Sequence, residues 1–173
     1  MAALDSIERS LEGIFVKSAP KLPAKGKEML AEWVPWINLI LGIFTLASLY
    51  WLWDWSRTVN YANEIIRAFG GGDVVSDRLT AGVWLGLVVL AIEAVLYIVA
   101  FSPLRARKKA GWNLLFYALI VNLIYGIVVM FTSYGGVGSF IGYLVGTIIG
   151  LYFLFQIREK YVGGRAAPVE PSA

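Results

Sequence analysis

The chain contains no cysteine and no histidine, and only 16% of its 173 residues are charged. The first absence removes thiol nucleophiles, disulfides, thiolate-bound zinc and iron–sulfur clusters. The second removes imidazole bases, histidine-ligated haem and facial-triad iron. A soluble domain carries about a quarter charged residues and about half apolar ones, whereas here 58% are hydrophobic and the mean hydropathy is +0.68. That combination excludes disorder as well as secreted disulfide scaffolds. What remains is a chain made for lipid, with little catalytic chemistry at its disposal.

A membrane-crossing helix needs about 20 mostly apolar residues, and four stretches qualify: 34–53, 81–101, 111–131 and 137–157. None has a polar stripe wide enough to meet water, as a soluble amphipathic helix would. Trp33, Trp36, Trp51, Trp53, Trp84, Trp112 and Tyr134 gather near the ends of these spans, at the depth that amphipathic rings prefer. The fold class is therefore all-α: a polytopic membrane protein of four transmembrane helices, with an amphipathic N-terminal helix and a short amphipathic helix in the first outer loop. Residues 1–33 form a cytoplasmic amphipathic helix and Pro/Lys linker, 34–157 the transmembrane domain with its outer loop 54–80, and 158–173 a tail expected to be disordered at its end.

Twelve of the fifteen Lys and Arg residues lie before the first span (Arg9, Lys17, Lys21, Lys25, Lys27), in the second connection (Arg105, Arg107, Lys108, Lys109) or in the tail (Arg158, Lys160, Arg165). Only Arg57, Arg67 and Arg78 fall on the other side. The positive-inside rule then places both termini in the cytoplasm. Without a presequence pattern or an apolar h-region near the start, a bacterial cytoplasmic membrane is the expected location. The basic residues are spread over short juxtamembrane segments, so they predict contact with anionic lipid headgroups, above all at Arg105, Arg107, Lys108 and Lys109, and no nucleic acid partner.

At the start of the chain Leu4, Ile7, Leu11 and Ile14 recur at helical spacing with Phe15 beside them, while Asp5, Glu8, Arg9 and Glu12 take the other faces. A polar face this acidic suits docking onto the protein's own loops or onto a partner as well as it suits a lipid surface. The prolines of Ala19-Pro20-Lys21-Leu22-Pro23 break that helix. A short amphipathic turn then leads into the first span across Pro35, which is expected in its first turn. In the 54–80 connection Val59, Ala62, Ile66 and Phe69 again step by three and four before Gly70-Gly71-Gly72, which predicts a three-turn helix lying on the outer surface.

Inside the bilayer, Gly138, Gly142, Gly146 and Gly150 recur every fourth residue along the last span, with a shorter version at Gly82 and Gly86 on the second. Glycines at that spacing share one groove and let another backbone approach. The partner is either a span of the same chain, the preferred expectation, or a second copy or other membrane protein. Glu93 is the one charged residue within any span. It shares a face with Gly86 and Ala100, and depth counting places it near Asn122, with Thr45, Thr147 or Tyr125 completing a buried polar cluster. One reading makes Glu93 a proton- or cation-exchanging group of a small transporter or channel. The other makes it hydrogen-bonding glue between helices. The second is preferred, because a lone acid with no basic partner and no broken helix makes a thin pathway.

Enzyme chemistry has no foothold. Gly70-Gly71-Gly72-Asp73 adjoins no strand and so is no nucleotide loop, and the acids are too scattered to hold a metal. No cofactor is expected. The segments FVKSAPKLPAKGKEMLAEWVPW, RKKAGWNLLFYALIVNLIYG and GLYFLFQIREKY resemble those of a group of small bacterial integral membrane proteins with four spans and no assigned activity. The resemblance implies a bacterial membrane protein, and a non-enzymatic structural or accessory role is the leading functional expectation.

Overall fold

A computed structural model describes residues 2–73, 77–132 and 135–162. Tyr134, Arg165 and the rest of the tail from 163 onward lie outside the described residues, as do the side chains of Leu4, Asp5, Arg9, Lys17 and Arg78. The chain is helical: α1 (Ala2–Glu12), a π-helical turn (Gly13–Ser18), α2 (Ala24–Ala68), α3 (Asp77–Arg105), α4 (Lys109–Met130), α5 (Val137–Gln156) and α6 (Glu159–Val162). Four of these helices, α2 to α5, are long and apolar enough to cross a membrane, and the protein is a multi-pass membrane protein. They pack in sequence, α2 on α3, α3 on α4 and α4 on α5. The N-terminal segment, the α3–α4 turn and α6 meet at one end of the bundle, which the Arg and Lys residues make the basic end.

The first span departs most from the sequence reading. α2 runs for 45 residues without a break, about 68 Å at 1.5 Å per residue, more than twice the roughly 30 Å of hydrocarbon. The helix expected to lie separately within 54–80 is its continuation. The reason is local: residues 43–69 contain neither glycine nor proline, so nothing interrupts the ladder until Gly70 takes up a left-handed φ of 80°. There the Gly71 amide reaches back to the Ile66 carbonyl at 2.9 Å and closes a Schellman motif. The helix also starts earlier than expected, directly after Pro23. Pro35 is therefore an interior residue and not part of the first turn.

The α3–α4 turn closes in the same way, with the Lys108 amide bonded to the Pro103 carbonyl at 2.9 Å. Its left-handed position is held by Arg107, at φ 51°, where glycine is the usual occupant. Gly111 lets the two helices meet: a methyl group placed on it would lie 2.6 Å from the Leu104 backbone nitrogen.

The glycine stripe does not do what was expected of most of it. A methyl group added at Gly138, Gly142 or Gly146 would meet nothing within 4 Å, and only Gly150 is covered, by Leu119. The close α4–α5 approach is made instead by Gly126, where a methyl group would lie 2.5 Å from Cβ of Tyr143. Gly86 sits under the Tyr125 hydroxyl and Leu52, and Gly82 is buried. The cause is crossing geometry. A four-residue stripe drifts about 40° per step round a helix of 3.6 residues per turn, so a straight neighbour covers one end of it and leaves the other.

The core lies toward the basic end. Ala31, Ala100, Leu104, Trp112, Phe116, Leu154, Phe155, Ile157 and Tyr161 belong to one buried cluster. Trp112 and Phe116 stack with ring centroids 5.4 Å apart, and Phe155 meets the Trp112 ring edge-on at 5.3 Å. Trp33, Trp36, Trp51, Trp53 and Trp84 are exposed as interfacial anchors should be, but Trp112 is wholly buried. Its role is packing, not anchoring.

Candidate functional site

Two polar arrangements stand out from this apolar frame. The first is inside the bundle. Glu93 on α3 is buried, and the Asn122 side-chain amide on α4 donates to its Oε1 at 3.1 Å. The α3–α4 pairing thus brings together the two residues that depth counting matched. The other expected members do different things. The Thr45 hydroxyl donates to the Leu41 carbonyl one turn back at 2.8 Å, the usual resort of a helical threonine. Thr147 is buried with its hydroxyl unpartnered. Tyr125 lies edge-on to Tyr143 at 5.6 Å and close over Gly86. No group of three or more acids that could hold a metal occurs among the described residues.

The second arrangement closes the basic end. Leu11, Phe15 and Val16 pack against the core cluster, and the Phe15 and Phe155 rings stack at 6.0 Å. The N-terminal segment is therefore docked on the protein itself. The wider π turn brings Phe15 and Val16 round in place of Ile14, which is exposed together with Ile7. Arg158 fastens this segment. Its guanidinium donates to Glu8 and, at 3.1 Å, to Glu12, and it lies 5.6 Å from the Trp112 ring. Gln156, the last residue of α5, donates to the Phe15 carbonyl at 3.0 Å and accepts from the Leu22 amide at 3.1 Å. These bonds satisfy backbone groups that the proline-broken linker cannot pair for itself.

Beside that clasp, Glu28 binds Arg107 at 3.0 Å and Lys160 at 2.6 Å. The Lys160 hydrogen bond, aided by the Arg107 charge, holds the Glu28 carboxyl below its ordinary range. Arg105 lies 5.3 Å from the Trp36 ring, while Lys108 and Lys109 are exposed.

Tyr161 resolves the problem posed by Pro35. A proline inside a helix leaves the carbonyl four residues earlier without its amide partner, and that carbonyl belongs to Ala31. The buried Tyr161 hydroxyl donates to it at 3.1 Å. Desolvation pushes that hydroxyl's pKa up to about 12, so it remains a donor over the ordinary pH range. Tyr161→Phe is expected to cost about 1–2 kcal/mol. The loss should shrink in the Pro35→Ala background, where the new amide can serve Ala31 instead. A double-mutant cycle on thermal unfolding in detergent measures this coupling.

Sequence reasoning found Glu93 and Asn122 but missed Arg158, Gln156, Trp112 and Tyr161 as a unit. A polar Gln closing an otherwise apolar span, two residues before an Arg and five before a Tyr in a basic tail, was the available signal. No family model, no curated protein and no solved structure matches the chain.

Proposed function

We propose that this protein is a non-enzymatic structural or accessory component of a bacterial cytoplasmic membrane, with both termini in the cytoplasm. The reading rests on one observation above all: Glu93, the one acid within the apolar runs 34–53, 81–101, 111–131 and 137–157, is buried and answered by a neutral amide on the next helix, Asn122 at 3.1 Å. A carboxyl paired in this way serves as interhelical glue, worth about 0.6 kcal/mol in membrane proteins. The docked N-terminal segment presents Ile7 and Ile14, and the exposed Lys108 and Lys109 remain available to anionic headgroups. Contact with another membrane protein or a second copy belongs to the same reading.

Glu93→Gln keeps a hydrogen-bonding partner for Asn122. It is expected to shift stability by less than about 1 kcal/mol and to leave cell-level function intact. A second reading, a small proton- or cation-coupled transporter or channel, draws on the burial of an ionisable group within a span. A pH-dependent flux in proteoliposomes that Glu93→Gln abolishes while the fold is retained would establish that reading and overturn the accessory one.

A further inference from the structure

The N-terminal segment docks by one flank only. Leu11 and Phe15 turn toward the core cluster, whereas Ile7 is 42% exposed and Ile14 56%. Ile14 and Ala19 form one wall of a groove of about 460 Å³, and Ile148, Ile149 and Phe153 of α5 form the other. That second wall belongs to a span. Ile149 stands seven residues before Gln156, the last residue of α5, which is about 10 Å along the helix.

An apolar surface on the outside of a span faces acyl chains, since the bilayer core holds no water. Ile148, Ile149 and Phe153 are exposed on that surface, and the groove continues it as far as Ile14. A soluble partner would have to reach about 10 Å into the span to fill the groove, whereas lipid is already there. An interfacial helix buries its apolar face about 5–10 Å into the boundary of headgroups and acyl chains, which is the depth at which Ile14 meets α5. The acids that the sequence sets against a lipid surface are engaged elsewhere. Glu8 and Glu12 lie about 100–140° round the helix from Ile7 and bond to Arg158. Ser6 lies about 100° the other way and is exposed. The helix thus turns one flank to the protein, one to lipid and one to water.

We propose that the N-terminal segment is an interfacial helix: acyl chains of the leaflet at the basic end cover its Ile7 and Ile14 flank and fill the groove between Ile14 and α5. The inference rests on α5 being a span and not on the accessory role proposed above. The chain has no cysteine, so Ser6→Cys, Ile7→Cys, Ile14→Cys and Ile149→Cys each give the full-length protein one site for a fluorescent label. In phosphatidylcholine liposomes, quenching by lipids that carry a nitroxide on the headgroup or at a defined acyl carbon measures the depth of each label. Iodide, present on both sides of the bilayer, measures its contact with water. The labels at Ile7 and Ile14 are expected about 5–10 Å below the phosphates and screened from iodide, as the Ile149 reference is. The Ser6 label is expected at or above the phosphates and open to iodide. Either the Ile7 or the Ile14 label lying level with Ser6 and open to iodide would overturn the proposal. A label screened from iodide and from every lipid nitroxide would show that a second copy covers the flank, which overturns it equally. Ile7 and Ile14 are substituted separately, so that if one variant does not fold the other decides.

Discussion

Truncating Trp112 to alanine is expected to destabilise the protein by about 3–5 kcal/mol, the range seen when a large buried ring is removed. The indole is wholly buried and is held on several sides: Phe116 stacks on it, Phe155 meets its face edge-on, and the Arg158 guanidinium lies 5.6 Å from the ring. Its Nε1 donates to the Leu154 carbonyl at 2.9 Å. That carbonyl belongs to the last turn of α5, where acceptors have no intrahelical donor, and the Arg158 amide is already committed to Phe155. One side chain thus fills the core and caps a helix. Trp112→Phe separates the two roles, since it keeps a ring in the stack and removes the donor, for an expected loss of about 1–3 kcal/mol. Denaturant unfolding in mixed micelles measures both. A Trp112→Ala loss below about 1 kcal/mol would show that the cluster does not hold the bundle together.

The second large effect concerns the clasp at the basic end. Arg158→Glu replaces the charge-assisted bonds to Glu8 and Glu12 by repulsion, and the N-terminal segment should detach while α2 to α5 stay folded. Hydrogen bonds to charged groups contribute about 1.5–3 kcal/mol. The Arg158 side chain is 22% exposed and that of Glu8 13%, so solvent screens these bonds only in part. Amides of residues 7–16 should accordingly exchange about 10- to 150-fold faster. Charge restoration by Glu8→Arg with Glu12→Arg should recover protection. Unchanged exchange in the single variant would mean that Phe15 and Val16 dock the segment by apolar contact alone.

Much of the architecture could be read before any coordinates. The expected spans 111–131 and 137–157 agree with α4 (Lys109–Met130) and α5 (Val137–Gln156) to within two residues, because run length against bilayer thickness is a strong constraint. Periodicity served less well between spans. Val59, Ala62, Ile66 and Phe69 do lie on a helix, but a stripe of apolar residues cannot say whether that helix is separate or continues the one before it. The absence of glycine and proline from residues 43–69 was the better guide. Pro35 misled for a related reason: proline marks a helix start only when the helix cannot begin earlier, and Pro23 allowed it to.

The polar residues divide along the same line. Glu93 and Asn122 could be paired by counting depth on adjacent spans, since neighbours in sequence are neighbours in the bundle and both groups must be satisfied in hydrocarbon. Asn38 could not be picked out, because its side-chain amide meets the Tyr97 carbonyl only once α2 has packed on α3. Trp112 read as an interfacial anchor because a tryptophan at a span end has that role unless a neighbouring helix covers it.

Composition and run length alone determined that this protein is all-α, that four of its helices cross lipid, and that thiol and imidazole chemistry are absent, because these follow from side-chain inventory and from the thickness of a bilayer. The tertiary structure decided which faces of those helices meet. It covered Gly126 and Gly150 while leaving Gly138, Gly142 and Gly146 open, clasped the N-terminus to Arg158, and supplied the Ala31 carbonyl with the Tyr161 hydroxyl. The last two of these pairings join residues more than a hundred positions apart, and no local pattern carries any of them; they exist only once the helices have chosen their crossings.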